Sequence, residues 1–348
     1  MYGVTKKIVG LSCGSKNGHC ESYIRAAAKG AEEYGVETEI IRAAELDVRP
    51  CRGCMACHRG DKKCTLDDDV DWILTKTLLE DAALIVAVPC YHIRNNAYFS
   101  MITDRINPFF YRDVNILAKT KVGAIIGVGG SGYDAWASLN LLLANIFVQH
   151  TRVLVDQIQV NHCGLREWNL WMQQGRPLTA HTHTARIQDH EFEAIWELWP
   201  QAFEPLEFER RALQRIEDLG RNVARAMALP IDQVTYQGEE AGVSCPVCHC
   251  NVLVIPENLP HAMCPICAIR GTVSQEHGDM KVVWNEEDVK HPRFSPESVT
   301  HHFKWLGKNM GPTPEIKWGQ LREIRKEYAG YGQMVRPHGV AAGKEETV

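Results

Sequence analysis

Short, uninterrupted apolar runs alternate with amphipathic stretches through the first half of the chain. Lys6–Leu11 (KKIVGL), Ala83–Val88 (ALIVAV) and Lys121–Val128 (KVGAIIGV) are the clearest, and Glu37–Arg42 (ETEIIR) and Arg152–Val155 add two more. Runs of this length predict strands, and continuous apolar character predicts a parallel sheet covered on both faces. Helical periods lie between them. Cys20–Tyr34 puts Ile24, Ala27, Ala28 and Ala31 on one face and stops at Gly35, and Asp68–Leu79, Asn96–Ile106 and Tyr133–Gln149 follow. Strict β–α alternation predicts a three-layer α/β sandwich. Residues 163–205 break the rhythm with Trp168, Trp171, Trp196 and Trp199 and the histidines His181, His183 and His190. Glu207–Leu229 then resumes a strong helical period (Leu213, Ile216, Leu219, Val223), which Pro230 ends.

Composition narrows the class. Of 348 residues, 45% are hydrophobic and 23% charged, enough to bury a sizeable core. A net charge of -5 speaks against nucleic acid or an anionic membrane as partner. The apolar runs fall far short of the roughly 20 residues a membrane helix needs. With no leader pattern in its first residues, a cytoplasmic protein is expected.

Thirteen cysteines, an odd count, read better as metal ligands than as a disulfide framework. Cys245-Pro-Val-Cys248 and Cys264-Pro-Ile-Cys267 are two knuckles fifteen residues apart, a spacing that offers four thiolates to one tetrahedral ion. Zinc is the first reading and a rubredoxin-like iron the alternative; His249 and Ala268 stand where rubredoxin knuckles usually carry glycine. A second group, Cys51, Cys54, Cys57 and Cys64, is compact, with Gly53 and Gly60 to permit tight turns. Three cysteines at two-residue gaps suit one corner of a cubane cluster, with a structural or zinc site as the alternative. Organisation is accordingly expected as a 1–230 α/β domain, a four-cysteine ribbon at 243–273 and a C-terminal arm at 274–348. Asp104 and Arg105 are read as a structural pair, and Asp67–Asp69 as a helix start.

Three loops should meet where the parallel strands end. The first is Ser12-Cys-Gly-Ser-Lys-Asn-Gly-His-Cys20, a cradle of small and hydroxyl residues leading into a helix. The second runs from Val88-Pro-Cys-Tyr-His to Asp104-Arg105, and the third is Gly127-Val-Gly-Gly-Ser-Gly-Tyr-Asp134. A hydroxyl-rich loop, then P-x-Y with a helix ending in D-R, then a G-G-S loop resembles the flavodoxin-like, NADPH-dependent FMN reductase family. The compact cysteine motif is similar to that of its iron–sulfur flavoproteins. The first loop departs from the family's usual form by about one residue.

The resemblance implies a flavodoxin-like sandwich with a five-stranded parallel sheet in the order 2-1-3-4-5. It also implies FMN held by Ser12, Ser15, Asn17, His19 and Cys20 at the phosphate, and by Pro89, Cys90, Tyr91, His92, Ile93, Asn95, Gly129, Gly130, Ser131 and Gly132 at the ring. His92 and Tyr91 are the catalytic candidates, His92 as a proton donor. Cys51, Cys54, Cys57 and Cys64 would hold a 4Fe–4S cluster, in a homodimer or homotetramer that passes electrons between NAD(P)H or ferredoxin and a small-molecule or protein acceptor. A cluster-free reductase of a quinone, nitro or unsaturated compound is the alternative enzyme. A redox sensor or electron carrier is the non-enzymatic one.

Overall fold

The computed structural model describes residues 6–58, 63–129, 138–161, 205–240, 242–256, 260–276 and 279–309, with 323, 324 and 326. Expectations on Gly60, on Gly130, Ser131 and Gly132, and on the tryptophan-rich segment lie outside the described residues. The chain divides into two compact units, Met1–Lys304 and Trp305–Val348.

In the first unit, β1 (Lys7–Ser12), β2 (Glu37–Arg42), β3 (Ala83–Tyr91), β5 (Lys121–Gly129) and β6 (Arg152–Asn161) are parallel, in the order β2-β1-β3-β5-β6. That is the expected doubly wound order. The sheet has six strands, however, not five: β4 (Arg94–Asn95) folds back antiparallel on the end of β3, with Cys90 opposite Asn95 and Tyr91 opposite Arg94.

Alternation along each strand feeds two cores. Ile8, Ala83, Ile85, Ala87, Ala124 and Ile126 face α1 (His19–Glu32) and α6 (Pro205–Ala226). Val9, Leu11, Leu84, Val86, Val88 and Ile125 face α2 (Val70–Leu74), α3 (Ala97–Thr103) and α5 (Ser138–Thr151). The helix expected over Asp68–Leu79 begins at Val70 and widens into a π-type turn over Thr75–Leu79.

The four-cysteine module is not a separate body. Its cysteines, Ile266 and Ile269 share a core with Phe110 of α4 (Asn107–Arg112), with Leu117 and with Leu142 of α5. Its antiparallel sheet comprises β7 (Ala262–Met263), β8 (Arg270–Glu276) and β9 (Asp279–Trp284), so the boundary drawn at residue 273 falls inside a strand. Two helices follow, α7 (Glu286–Lys290) and α8 (Pro296–Asn309), and Phe303 packs edge-on to Phe110 at 5.0 Å. Among the described residues of the second unit, Lys326 pairs with Glu323 at 2.7 Å. No helix among the described residues is long and apolar enough to cross a membrane.

Helices α1 and α6 touch through glycine. A Cβ on Gly30 would stand 2.1 Å from the Glu217 carbonyl oxygen, and one on Gly220 only 1.9 Å from that of Ala27. Backbone sits on backbone here, so neither side can yield by a rotamer change. Gly220→Ala is therefore expected to cost about 1–3 kcal/mol through overpacking, read as a lower urea midpoint at unchanged slope. An unchanged midpoint would refute this contact.

Candidate functional site

Ser12 ends β1 fully buried, and the Cys13 N–H prolongs the sheet by donating to the Ala87 carbonyl at 3.0 Å. Gly14 packs tightly on α1: a Cβ there would lie 2.9 Å from Cys20 Cβ and Sγ and force the pair apart. Cys20 thus belongs to the core beneath the loop, its thiol pushed up to about 12 by burial. The exposed Ser15 accepts the Gly18 N–H at 3.0 Å through its carbonyl, closing the turn. No side chain caps α1 at Gly18, and an uncapped N-terminus of a fourteen-residue helix suits an anion. Asn17, at φ 55°, spends its backbone N–H on Glu21 at 3.1 Å. Glu21 also accepts from Arg42 at 2.7 Å and Arg25 at 2.8 Å, and Arg42 above all holds its carboxyl down to about 2.

The loop after β3 is a hairpin. Tyr91, 58% exposed, leads into His92 (φ 53°) and Ile93 (φ 74°), both left-handed, before the chain returns through Arg94. Two such residues make a mirror-image turn that ordinarily selects Asn-Gly, and a β-branched residue at positive φ is strained. Burial raises the half-buried Cys90 thiol.

Buried amides fasten this hairpin. Asn96 donates to the Cys13 carbonyl, tying the hairpin to the first loop, and accepts from the Phe99 N–H at 3.3 Å to cap α3. Asn95 donates to the Asn140 carbonyl at 2.9 Å, and Asn140 in turn donates to the carbonyl of Val88 at 2.9 Å and to Gln159 at 3.3 Å. A second rung follows along α5. Asn145 donates to Gln157 Oε1 at 2.8 Å and to the Cys248 carbonyl at 2.9 Å, and Gln157 reaches that carbonyl at 3.3 Å.

None of Asn96, Asn140, Asn145, Gln157 and Gln159 was singled out from sequence. The signal was present: Gln157 and Gln159 alternate with Ile158 and Val160, and asparagines interrupt an otherwise apolar α5. Beside the hairpin, Asn95, Phe99, Ile106, Leu143, Phe147 and His150 line a cleft of 290 Å³. Burial holds the His150 ring down to about 4, hence neutral.

In the ribbon, the sulfurs of Cys245, Cys248, Cys264 and Cys267 lie within 4.8 Å of one another, all buried. Each knuckle is a tight backbone turn. His249 N–H donates to the Cys245 carbonyl at 2.8 Å, Ala268 N–H to that of Cys264 at 2.9 Å, and Cys267 N–H to Cys264 Sγ at 3.3 Å. His249 and Ala268 both adopt φ 59°, the left-handed geometry glycine would favour. His249 is held there by parallel stacking on Tyr236 at 3.7 Å and by Glu240. Hydrogen bonds from Cys245, Cys248 and Cys267 drive the Cys264 thiol down, whereas sharing of those bonds raises Cys245 and Cys267. A closed, buried, four-sulfur set of this kind fits one tetrahedral ion.

The compact cysteine loop is clasped at its base. Asp47 N–H donates to Asp69 at 2.7 Å, Asp69 N–H returns to the Asp47 carbonyl at 2.9 Å, and Arg49 N–H donates to Asp68 at 3.0 Å. Arg105 pairs with Asp68, both side chains out of solvent, and not with the exposed Asp104 next to it. The acidic run starts the helix as expected, with Asp69 at the N-cap position of α2 and Asp68 accepting the Val70 N–H at 3.2 Å, and it clasps the loop as well. Left-handed Gly53 (φ 65°) and Met55 (φ 57°) turn the loop, and Gly53 N–H donates to Cys51 Sγ at 3.4 Å.

Burial and then the neighbouring Cys51, Cys64 and Cys54 raise the Cys57 thiol, so the four sulfurs feel one another. Cys51 and Cys54 are exposed, and among the described residues only the ribbon quartet is gathered within ligand range. Arg105 Nε is buried without an acceptor beside Cys64, a donor suited to a sulfur-rich group.

Residues 6–163 match the family described as NADPH-dependent FMN reductase. An iron–sulfur flavoprotein of Methanosarcina thermophila is 39% identical over 126 residues, 36% of this chain and 64% of that protein, just under two thirds of its length. One of Methanocaldococcus jannaschii is 31% identical over 160 residues, 45% of this chain and 80% of the relative. A solved flavone reductase superposes with a TM-score of 0.65 at 21% identity, covering 95% of this chain and 99% of that one, a likeness of fold.

Two outcomes are expected of these loops. Ile93→Gly should relieve the left-handed strain and raise the unfolding free energy by about 1 kcal/mol, read as a higher urea midpoint at unchanged slope; a lower midpoint would show the turn to be unstrained. Glu21 carries a carboxyl depressed from 4.5 to about 2, so its contribution is full above pH 4.5 and fades as pH falls towards 2. The stability gap between the parent chain and Glu21→Gln should accordingly shrink with acidification, whereas a gap constant from neutrality to pH 3 would contradict the assignment.

Proposed function

The chain belongs to the iron–sulfur flavoprotein family of flavin-dependent oxidoreductases, and on that premise we propose that it binds FMN at the carboxyl edge of its sheet and exchanges electrons with a 4Fe–4S cluster. When bound, FMN accepts a hydride from NAD(P)H, or electrons from ferredoxin, and the cluster takes electrons singly. The observation that carries the reading is the fastening of one edge: Asn96 joins the hairpin to the first loop, and Asp68–Arg105 clasps the cysteine loop beside them.

In this reading Ser12, Ser15 and the N–H groups at His19 and Cys20 seat the phosphate, with Asn17 acting through its side chain because its N–H is engaged. Pro89–Ile93, Asn95 and Gly129–Gly132 contact the isoalloxazine. A ring set against these residues leaves Tyr91 and the exposed His92 facing the substrate, His92 as proton donor. Cys51, Cys54, Cys57 and Cys64 hold the cluster, and Cys245, Cys248, Cys264 and Cys267 a zinc or iron ion. The 290 Å³ cleft supports an apolar acceptor. The exposed Cys51 and Cys54 support electron exchange with a second subunit or a protein partner.

Anaerobic protein reconstituted with FMN, iron and sulfide is expected to show flavin bands over a broad sulfide-to-iron shoulder. About four irons and four sulfides per chain should accompany one ion in the ribbon. Cys54→Ser should remove the shoulder and spare both FMN and the ribbon ion. FMN with a ribbon ion alone would turn the reading to a cluster-free reductase, and material that retains no FMN would overturn it.

A further inference from the structure

Arg105 stands just past the end of α3, with its side chain 2% exposed. One arm of the guanidinium is spent on Asp68 and on the Arg49 carbonyl at 3.3 Å. Asp68 is engaged in turn by the N–H groups of Arg49 at 3.0 Å and Val70 at 3.2 Å. The pair is therefore fixed from three directions, and its net charge is small. What it leaves over is Nε–H, a donor sealed from solvent with no acceptor. An unmade bond of this kind is costly, the more so for a charged group, unless something in the working protein accepts it. Cys64, four positions before Asp68, lies within charge and hydrogen-bonding reach of this guanidinium.

We propose that Arg105 is a positioning residue of the iron–sulfur centre, whose Nε–H donates to the Cys64 ligand sulfur. The inference rests on the reading of the compact loop as a cluster site. Charge-assisted N–H···S bonds withdraw electron density from a ligand sulfur and favour the reduced, more negative centre, so the bond raises the reduction potential. It also explains why the cation comes from α3. A guanidinium locked by Asp68 presents Nε–H in one fixed direction, which a flexible surface lysine would not.

The test uses the full-length, cluster-loaded protein. In Arg105→Lys the charge and the Asp68 pairing can persist while the Nε–H is lost. Iron and sulfide should stay near the parent level, and the one-electron reduction constant should fall roughly tenfold, about 59 mV. Arg105→Lys with full iron and an unshifted potential would overturn the proposal. A readout free of any variant is the reduced parent protein carrying heavy-nitrogen-labelled arginine. Pulsed paramagnetic spectroscopy should detect a guanidinium nitrogen coupled to the cluster spin. A cluster signal without that coupling would overturn this assignment alone. Parent protein that takes up no iron and sulfide beyond the ribbon ion would overturn the cluster reading, and this assignment with it.

Discussion

A guanidinium withdrawn from water needs fixed acceptors, and because Arg105 takes a carboxylate for one of them, the buried Arg105–Asp68 pair dictates where much of the sheet's carboxyl edge can go. Asp68 lies at the far side of the cysteine loop and also receives Arg49 N–H from the near side, so one carboxylate closes the excursion from 49 to 68. Arg105 follows α3, whose first turn is capped by Asn96, and Asn96 holds the Cys13 carbonyl of the first loop. The three segments form one connected piece. Breaking the pair by removing one partner would leave an uncompensated buried charge, which explains why neither residue can drift independently of the other.

The two cysteine groups obey opposite designs. In the ribbon, four buried sulfurs converge before any ion is considered, and the surrounding apolar residues merge with Phe110, Leu117 and Leu142 of the larger body. Such a site is closed to exchange and stabilises by filling a core. The compact loop instead leaves Cys51 and Cys54 at the surface while its base is locked. On the proposed cluster reading, a rigid base with an accessible rim suits electron exchange with a second molecule, since short approach and small rearrangement both speed transfer.

What was legible in the sequence followed from burial on both faces. β1, β3 and β5 are apolar throughout because helices cover each side, and their positions were evident within three residues. β6 was read only to Val155, because Asp156, Gln157 and Gln159 look like the end of a strand. Their partners lie far off in sequence: Arg215 and Asn222 for Asp156, Asn145 for Gln157, Asn140 for Gln159. The β4 return was hidden because its turn is His-Ile, without the glycine or asparagine that ordinarily announces such a conformation. Adjacency misled at Asp104–Arg105, where the true partner is thirty-seven positions away. The ribbon was legible because knuckle spacing encodes geometry directly, and His249 and Ala268 take the left-handed turn despite their side chains.

The amide rungs give the ribbon a consequence beyond its own stability. Asn145 and Gln157 both spend donors on the Cys248 carbonyl, inside one of the two cysteine knuckles. One turn back along α5, Asn140 holds the Val88 carbonyl and, through Asn95, the returning strand of the hairpin. A shift of α5 that eased either rung would strain the other, because both are anchored on the same face of β6. Buried amides cannot be left half-paired without a desolvation penalty, so the knuckle and the hairpin keep a fixed relation. That relation depends on the knuckle's shape and not on electron count. Any ion that holds four sulfurs at tetrahedral spacing would preserve it, so zinc in the ribbon would brace the hairpin edge as well as iron.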